Sequence, residues 1–122
     1  MSKILFCDDD VTTRVMFREY FEKSGYEICE AGDGSEALLY LVENSVDLVV
    51  SDIQMKPTNG ITFLSRLRED KNNIPFILIT GMPDIDTYID GIHNLGAFEY
   101  LQKPIDLEML KNIMEKMLEQ NS

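Results

Sequence analysis

Short apolar runs alternate with amphipathic stretches along the whole chain, and that alternation leaves few folds open to it. Lys3 to Cys7 reads KILFC, Val46 to Ser51 reads VDLVVS and Pro75 to Ile79 reads PFILI. Runs this short and this apolar suit strands covered on both faces. Tyr26 to Glu30 and Phe98 to Gln102 are weaker candidates for two further strands. Between the runs, apolar residues recur at helical spacing: Thr13, Met16, Phe17, Tyr20 and Phe21; then Ile85, Tyr88, Ile89, Ile92 and Leu95; then Leu107, Leu110, Met114, Met117 and Leu118. These stripes are expected to be core. Gly25 and Gly96 stand where the first and fourth helices should stop, and Asp106 is placed to cap the last helix.

Strands separated by helices of this length need right-handed crossovers, which give a parallel sheet covered on both sides. The expected fold is therefore a doubly wound α/β domain with helices on both faces, and the order taken for its five-stranded parallel sheet is 2-1-3-4-5. The 122 residues fit one domain spanning residues 1–122. Sheets of this kind carry their sites at the carboxyl ends of the strands, where strand order reverses.

Four of the five expected strands end on a residue able to do chemistry. Asp8 and Asp9 follow the first, Asp52 the third, Thr80 the fourth and Lys103 the fifth. In the order 2-1-3-4-5 these four strands are neighbours, so their ends surround one crevice. The second strand lies at the edge and offers nothing comparable. Singly, each residue has a plain structural explanation as a helix cap or loop residue. Three carboxylates drawn together must either hold protons or gather around a hard divalent cation. Mg²⁺ is the economical choice, with Mn²⁺ the alternative: it takes oxygen ligands and keeps positions open for a phosphate. An aspartate there can attack phosphorus if the charge on the transferring oxygens is neutralised, and Lys103 and the cation would do so. The Thr80 hydroxyl can donate to a phosphoryl oxygen, a contact that exists only after modification.

Read together, ILFCDDD at Ile4 to Asp10, SDIQMKPTNG at Ser51 to Gly60, PFILITG at Pro75 to Gly81 and GAFEYLQKP at Gly96 to Pro104 closely resemble the receiver domains of bacterial two-component response regulators. The resemblance covers essentially the whole chain and implies a flavodoxin-like sheet. It implies Asp52 as phosphoacceptor, and Asp8, Asp9, Asp52 and the Gln54 backbone carbonyl as metal ligands, Asp8 acting largely through water. Thr80 and Lys103 would bind phosphoryl oxygens. Tyr100 would be the aromatic switch, turning inward as Thr80 moves and reshaping the face made by the fourth helix, fifth strand and fifth helix; its plain reading is a half-buried packing tyrosine. The Lys103–Pro104 bond is usually cis in the family. The implied phosphodonor is a sensor histidine kinase or a histidine phosphotransfer protein. The implied output is binding of a target, or self-association, through the reshaped face. Such a domain is not an enzyme in the ordinary sense, since it modifies and demodifies only itself.

The chain departs from the family pattern at Lys56, where a proline is usual, with Pro57 one place later; the loop leaving the third strand is expected to take a different path. Gln54 and Met82 flank the route of attacking water in the family. Met82 cannot orient a water by hydrogen bonding, so self-dephosphorylation is expected to be slow. Asp10 reads equally well as a cap of the first helix.

Other features narrow the alternatives. With 22 acidic against 11 basic residues the formal charge is −11, which opposes binding to phosphate backbones and anionic membranes. No apolar run approaches the roughly 18 to 20 residues of a membrane span, and the start lacks a secretory layout, so a cytoplasmic location is expected. Cys7 and Cys29 read as reduced packing thiols and His93 as a surface residue. DDDVT at Asp8 to Thr12 also fits the motif of haloacid-dehalogenase-like phosphatases, with Asp8 as nucleophile and Asp10 as acid/base; the later acidic pair of that family has only Asp84 and Asp86 loosely near. A module of this fold regulated by binding alone is a third reading. A flavin-binding protein of the same topology is a fourth, though no Ser/Thr/Gly-rich phosphate loop follows the first strand.

Overall fold

A computed structural model describes residues 1–120. The elements run β1 (Lys3–Cys7), α1 (Val11–Lys23), β2 (Glu27–Ala31), α2 (Gly34–Glu43), β3 (Leu48–Asp52), α3 (Gly60–Glu69), β4 (Phe76–Thr80), α4 (Ile85–Tyr88) continuing as a π-helical segment (Ile89–Asn94), β5 (Glu99–Gln102) and α5 (Leu107–Gln120). All four strand pairings are parallel and the sheet order is β2-β1-β3-β4-β5, as expected.

Alternate residues of each strand feed two cores. On one face Leu5, Val49, Phe76 and Leu78 meet Phe63, Leu64 and Leu67 of α3. On the other Ile4, Phe6, Val50, Ile77 and Ile79 meet Phe17 and Phe21 of α1 and Leu110, Met114 and Met117 of α5. Phe6 and Phe17 stack with centroids 3.8 Å apart. β3 and β4 are buried along their whole lengths. At about 1.5–3 kcal/mol for each large apolar side chain removed from water, this central pair fixes the platform on which the site stands.

Gly25 and Gly96 do end their helices, with φ of 95° and 69°, in the left-handed region that a residue with a Cβ enters at a cost. Asp10 caps α1 by accepting from the Thr12 N–H, and Asp106 accepts from Met109 N–H at the start of α5. Four of the strands begin one or two residues later than their apolar runs. Three of them also extend to include Ala31, Asp52 and Thr80 as last strand residues, because the ladder continues past the apolar stretch. Pro75 lies outside β4, having no N–H to donate, yet its carbonyl still accepts from Val49.

Two of the expected core stripes are only partly core. On α1, Met16 is exposed while Phe17 and Phe21 are buried. Of the stripe expected on the fourth helix, Ile85, Tyr88 and Ile89 are exposed, and only Ile92 and Leu95 pack against the core. The helix widens after one turn, with Leu95 N–H bonded to Asp90 C=O five residues back, so the regular 3.6-residue phase is lost. Gly91, not a large residue, faces the sheet, and a Cβ there would overlap Cδ1 of Leu78.

Candidate functional site

The register that joins the strands also joins the polar residues. Asp52 pairs with Ile79, and Thr80 with Gln102. Asp8 N–H continues the ladder onto the Ala31 carbonyl at 3.1 Å, and Lys103 N–H onto the Thr80 carbonyl at 2.8 Å. The side chains of Asp8, Asp52 and Thr80 are accordingly buried at the carboxyl edge, with relative exposures of 1%, 4% and 0%. Asp9 is exposed at the rim.

Lys103 closes the arrangement. Its Nζ donates to Asp8 Oδ2 at 3.1 Å and to Asp52 Oδ2 at 2.7 Å, across 95 and 51 residues of chain. The other oxygens of the two carboxylates are held by the backbone: Asp10 N–H donates to Asp8 Oδ1 at 2.9 Å and Gln54 N–H to Asp52 Oδ1 at 3.2 Å. Burial pushes the Asp52 carboxyl above the ordinary carboxylate range; the hydrogen bond from Lys103 works against that shift and the Asp8 charge adds to it. Partial burial works to lower the Lys103 pKa, but hydrogen bonds to Asp52 and Asp8 outweigh it and hold the ammonium protonated well into the alkaline range.

The Asp8, Asp9 and Asp52 carboxylates offer oxygens within 4.8 Å of one another. At that separation two unit charges repel by about 3 kcal/mol for an effective dielectric of about 20. Three carboxylates against one ammonium leave two negative charges in excess. The donor set is all hard oxygen, and it fits a small divalent cation such as Mg²⁺ or Mn²⁺ in both charge and chemistry.

Around this centre, Gln54 Oε1 accepts from Thr80 Oγ1 at 2.9 Å and from Gly81 N–H at 3.3 Å. The loop leaving β3, with Lys56 and Pro57, is tied down by Gly60 N–H to Ile53 C=O at 3.0 Å and Gly34 N–H to Thr58 C=O at 3.0 Å. Gly60 is required there: a Cβ would run into the Asp52 carbonyl oxygen. The Lys56–Pro57 and Lys103–Pro104 bonds are both cis, the second as the resemblance implied. Met82 projects into solvent, 71% exposed. The Tyr100 hydroxyl is half-buried and bonds Thr87 Oγ1 at 2.6 Å, with the Tyr88 ring edge-on at 5.4 Å.

β2 acts from behind the crevice rather than in it. Glu30 near its end holds Arg14 Nε at 3.1 Å, and Arg14 Nη1 donates to the Asp8 carbonyl at 2.6 Å. Glu30 also binds Arg18, so two guanidiniums share it behind the acidic pair. The sequence shows Arg14 only as a polar residue on an amphipathic helix; its partner belongs to another element, and no local spacing links them. His93 is exposed, and Cys7 and Cys29 are free, Cys29 accepting a hydrogen bond from the Tyr40 hydroxyl at 2.9 Å.

Residues 4–115 match the family model described as response regulator receiver domain. The chain belongs to the response regulator receiver family. Sporulation initiation phosphotransferase F of Bacillus subtilis is 32% identical over 116 residues, covering 95% of this receiver domain and 93% of that protein. The regulatory protein AtoC of Escherichia coli is also 32% identical, over the whole chain, but the receiver domain spans only 26% of its length. Among solved structures, the receiver domain of the Francisella response regulator 1452 aligns with a TM-score of 0.93 at 29% identity, with both chains fully covered. The Thermotoga maritima response regulator TrrA, in complex with Mg²⁺ and BeF, aligns with a TM-score of 0.82 at 31% identity over 96% of this chain and 99% of that one. The haloacid-dehalogenase-like reading finds no support in these comparisons. The Asp10 that it needs as acid/base is instead the cap of α1, accepting from the Thr12 N–H.

Proposed function

We propose that this receiver domain accepts a phosphoryl group on Asp52 from a phosphohistidine and signals through the face formed by α4, β5 and α5. The observation that carries the reading is the double engagement of Lys103 with Asp8 and Asp52. It collects groups from the first, third and fifth strands at one point, and it directs a cation at the carboxylate meant to attack. In the transfer, an Asp52 oxygen forms the new bond to phosphorus as the phosphorus–nitrogen bond of the donor breaks, and the imidazole departs with the electron pair. Lys103 is placed to follow the charge onto a phosphoryl oxygen, and the Thr80 hydroxyl to donate to another. Asp8, Asp9, Asp52 and the Gln54 carbonyl would hold Mg²⁺ or Mn²⁺, which supplies further neutralisation of the transferring oxygens when bound.

Asp52 is then substrate and attacking group at once, so the domain promotes its own modification and its own hydrolysis rather than turning over a free molecule. A sensor histidine kinase or a histidine phosphotransfer protein is the donor. The exposed Ile85, Ile89 and Phe98 suit the output face to a protein target or a second copy. Residues 1–122 act as one receiver unit in the cytoplasm; no helix of the described residues is long and apolar enough to cross a membrane. The acidic surface argues against direct contact with nucleic acid or anionic lipid.

The test is incubation with a small phosphodonor and Mg²⁺, read by intact mass. The native chain should gain one phosphoryl group, mapped to the peptide bearing Asp52, and Asp52→Asn should gain none. Modification of Asp8 instead would restore the phosphatase reading; no modification with any donor would favour a module regulated by binding alone. Met82, one of the two side chains expected to flank the water route, cannot orient a water by hydrogen bonding, so the acyl phosphate should persist for minutes or longer, and a lifetime of seconds under Mg²⁺ would contradict that.

A further inference from the structure

We propose that the Gln54 side chain acts as an intramolecular substitute for a phosphoryl oxygen, holding Thr80 in its resting position until a phosphoryl group displaces it. The proposal rests on the reading of Asp52 as phosphoacceptor. Thr80 ends β4 with its side chain wholly buried, and its hydroxyl has a single proton to give. That proton goes to Gln54 Oε1 at 2.9 Å, while the hydroxyl oxygen accepts from Met82 N–H at 3.0 Å. Gly81 N–H points at the same amide oxygen, at 3.3 Å. One acceptor therefore gathers two donors at the end of β4, the strand beside the one that carries Asp52.

Gln54 reaches them because of where its backbone is fixed. It lies two residues beyond Asp52, and its N–H is tied to Asp52 Oδ1 at 3.2 Å. A phosphoryl group on Asp52 would need a donor from β4, and the Thr80 hydroxyl is already committed. The exchange still favours the phosphoryl group, because an anionic oxygen accepts more strongly than a neutral amide. The freed amide is exposed and passes to water without desolvation loss. The resting bond nevertheless opposes the switch by its own net worth. Removing it should shift binding of a phosphoryl mimic by about three- to tenfold.

Beryllofluoride with Mg²⁺ is the probe, titrated by ¹⁹F NMR into the native chain, Gln54→Ala, Gln54→Met, Thr80→Val and the double variant Gln54→Met/Thr80→Val. Gln54→Met keeps the length of the side chain and loses the acceptor. Both Gln54 variants should tighten binding about three- to tenfold over the native chain, and the gain should vanish in the Thr80→Val background. In the free proteins, Thr80 χ1 couplings and the methyl shift should report one rotamer in the native chain and averaging in Gln54→Met; this readout needs neither ligand nor Thr80→Val.

Unchanged affinity in both Gln54 variants overturns the proposal, as does a gain that persists in full with valine at position 80. A gain for Ala with none for Met also overturns it, because bulk rather than the hydrogen bond would then be the obstacle. Beryllofluoride that binds every variant without these differences removes the Gln54 contact alone. Failure to bind any variant that retains Asp52, with Thr80 still fixed by Gln54 in the free protein, removes the phosphoacceptor reading and this proposal with it.

Discussion

The two flanks of the sheet are built to different tolerances. On the β1 and β3 side, α1 runs for 13 residues, Phe6 stacks on Phe17, and Arg14 braces the Asp8 carbonyl against Glu30. On the β4 and β5 side, α4 makes only four residues before it widens into the π-helical segment, β5 has no fully buried residue, and Met82, Ile85, Ile89 and Phe98 stand in solvent. The acidic groups belong to the first flank, while Thr80 and Tyr100 belong to the second. On the proposed reading the contrast is a division of labour: the part assigned to the cation is packed tightly, and the part assigned to the switch is left with weaker constraints.

The largest effect should come from glycine substitutions that probe each flank. Gly60→Ala drives a Cβ into the Asp52 carbonyl, where backbone on both sides must shift, and should cost about 3 kcal/mol in chemical denaturation. Gly91→Ala meets only the end of the Leu78 side chain and should cost about 1–2 kcal/mol. Equal costs would show that the β4 side is as rigid as the β3 side.

Asp52→Asn should stabilise the protein by about 1–2 kcal/mol at pH 8 in the presence of a chelator, since it removes a buried charge held among other carboxylates. The sign in pH follows from the raised pKa. The folded state binds the Asp52 proton more tightly than the unfolded state, so this residue's contribution is most favourable in acid. It declines as pH rises from the ordinary carboxylate value through the higher folded one. The difference in stability between the native chain and Asp52→Asn should therefore widen over that window and then level off. Mg²⁺ should stabilise the native chain more than the variant, and an equal rise in melting temperature for both would remove Asp52 from the cation site.

Arg14→Met should cost about 1 kcal/mol and weaken Mg²⁺ binding about threefold by loosening the Asp8 backbone, measured by calorimetry. Tighter binding would mean that the guanidinium acts mainly by repelling the cation. The smallest change should come from Thr87→Val, which removes the shortest hydrogen bond of the Tyr100 hydroxyl and leaves its longer contacts with the Asp84 backbone. Stability should fall by about 0.5 kcal/mol, while relaxation dispersion should show faster or more populated exchange of the Tyr100 ring. No change in that exchange would mean that Tyr100 is merely a packing residue.

Topology and the residues of the crevice were legible in the sequence because buried parallel strands leave continuous apolar runs, and the chemistry starts where each run stops. Asp52 and Thr80 could be found this way even though the ladder takes them in as last strand residues. Lys103 was legible for the same reason, since the strand before it ends in a loop that turns to the site. The fourth helix was not, because a periodicity argument assumes one helical pitch, and the wider turn at Ile89–Asn94 breaks the phase between the exposed Ile85, Tyr88 and Ile89 and the packed Ile92 and Leu95. Arg14 and Glu30 were equally hidden: a guanidinium bridging a strand end and a loop carbonyl is a product of packing, with no mark in local spacing. The Gln54 to Thr80 bond belongs to the same class, as it joins the loop after β3 to the end of β4.

The span between Lys103 and Asp8, 95 residues of chain, has a consequence for synthesis. A polypeptide emerging from the ribosome displays its aspartates early but acquires the ammonium that completes the crevice only when its fifth strand appears and docks. If Lys103 has the role proposed for it, competence to receive a signal comes late, and a copy that stops short of the fifth strand should be mute.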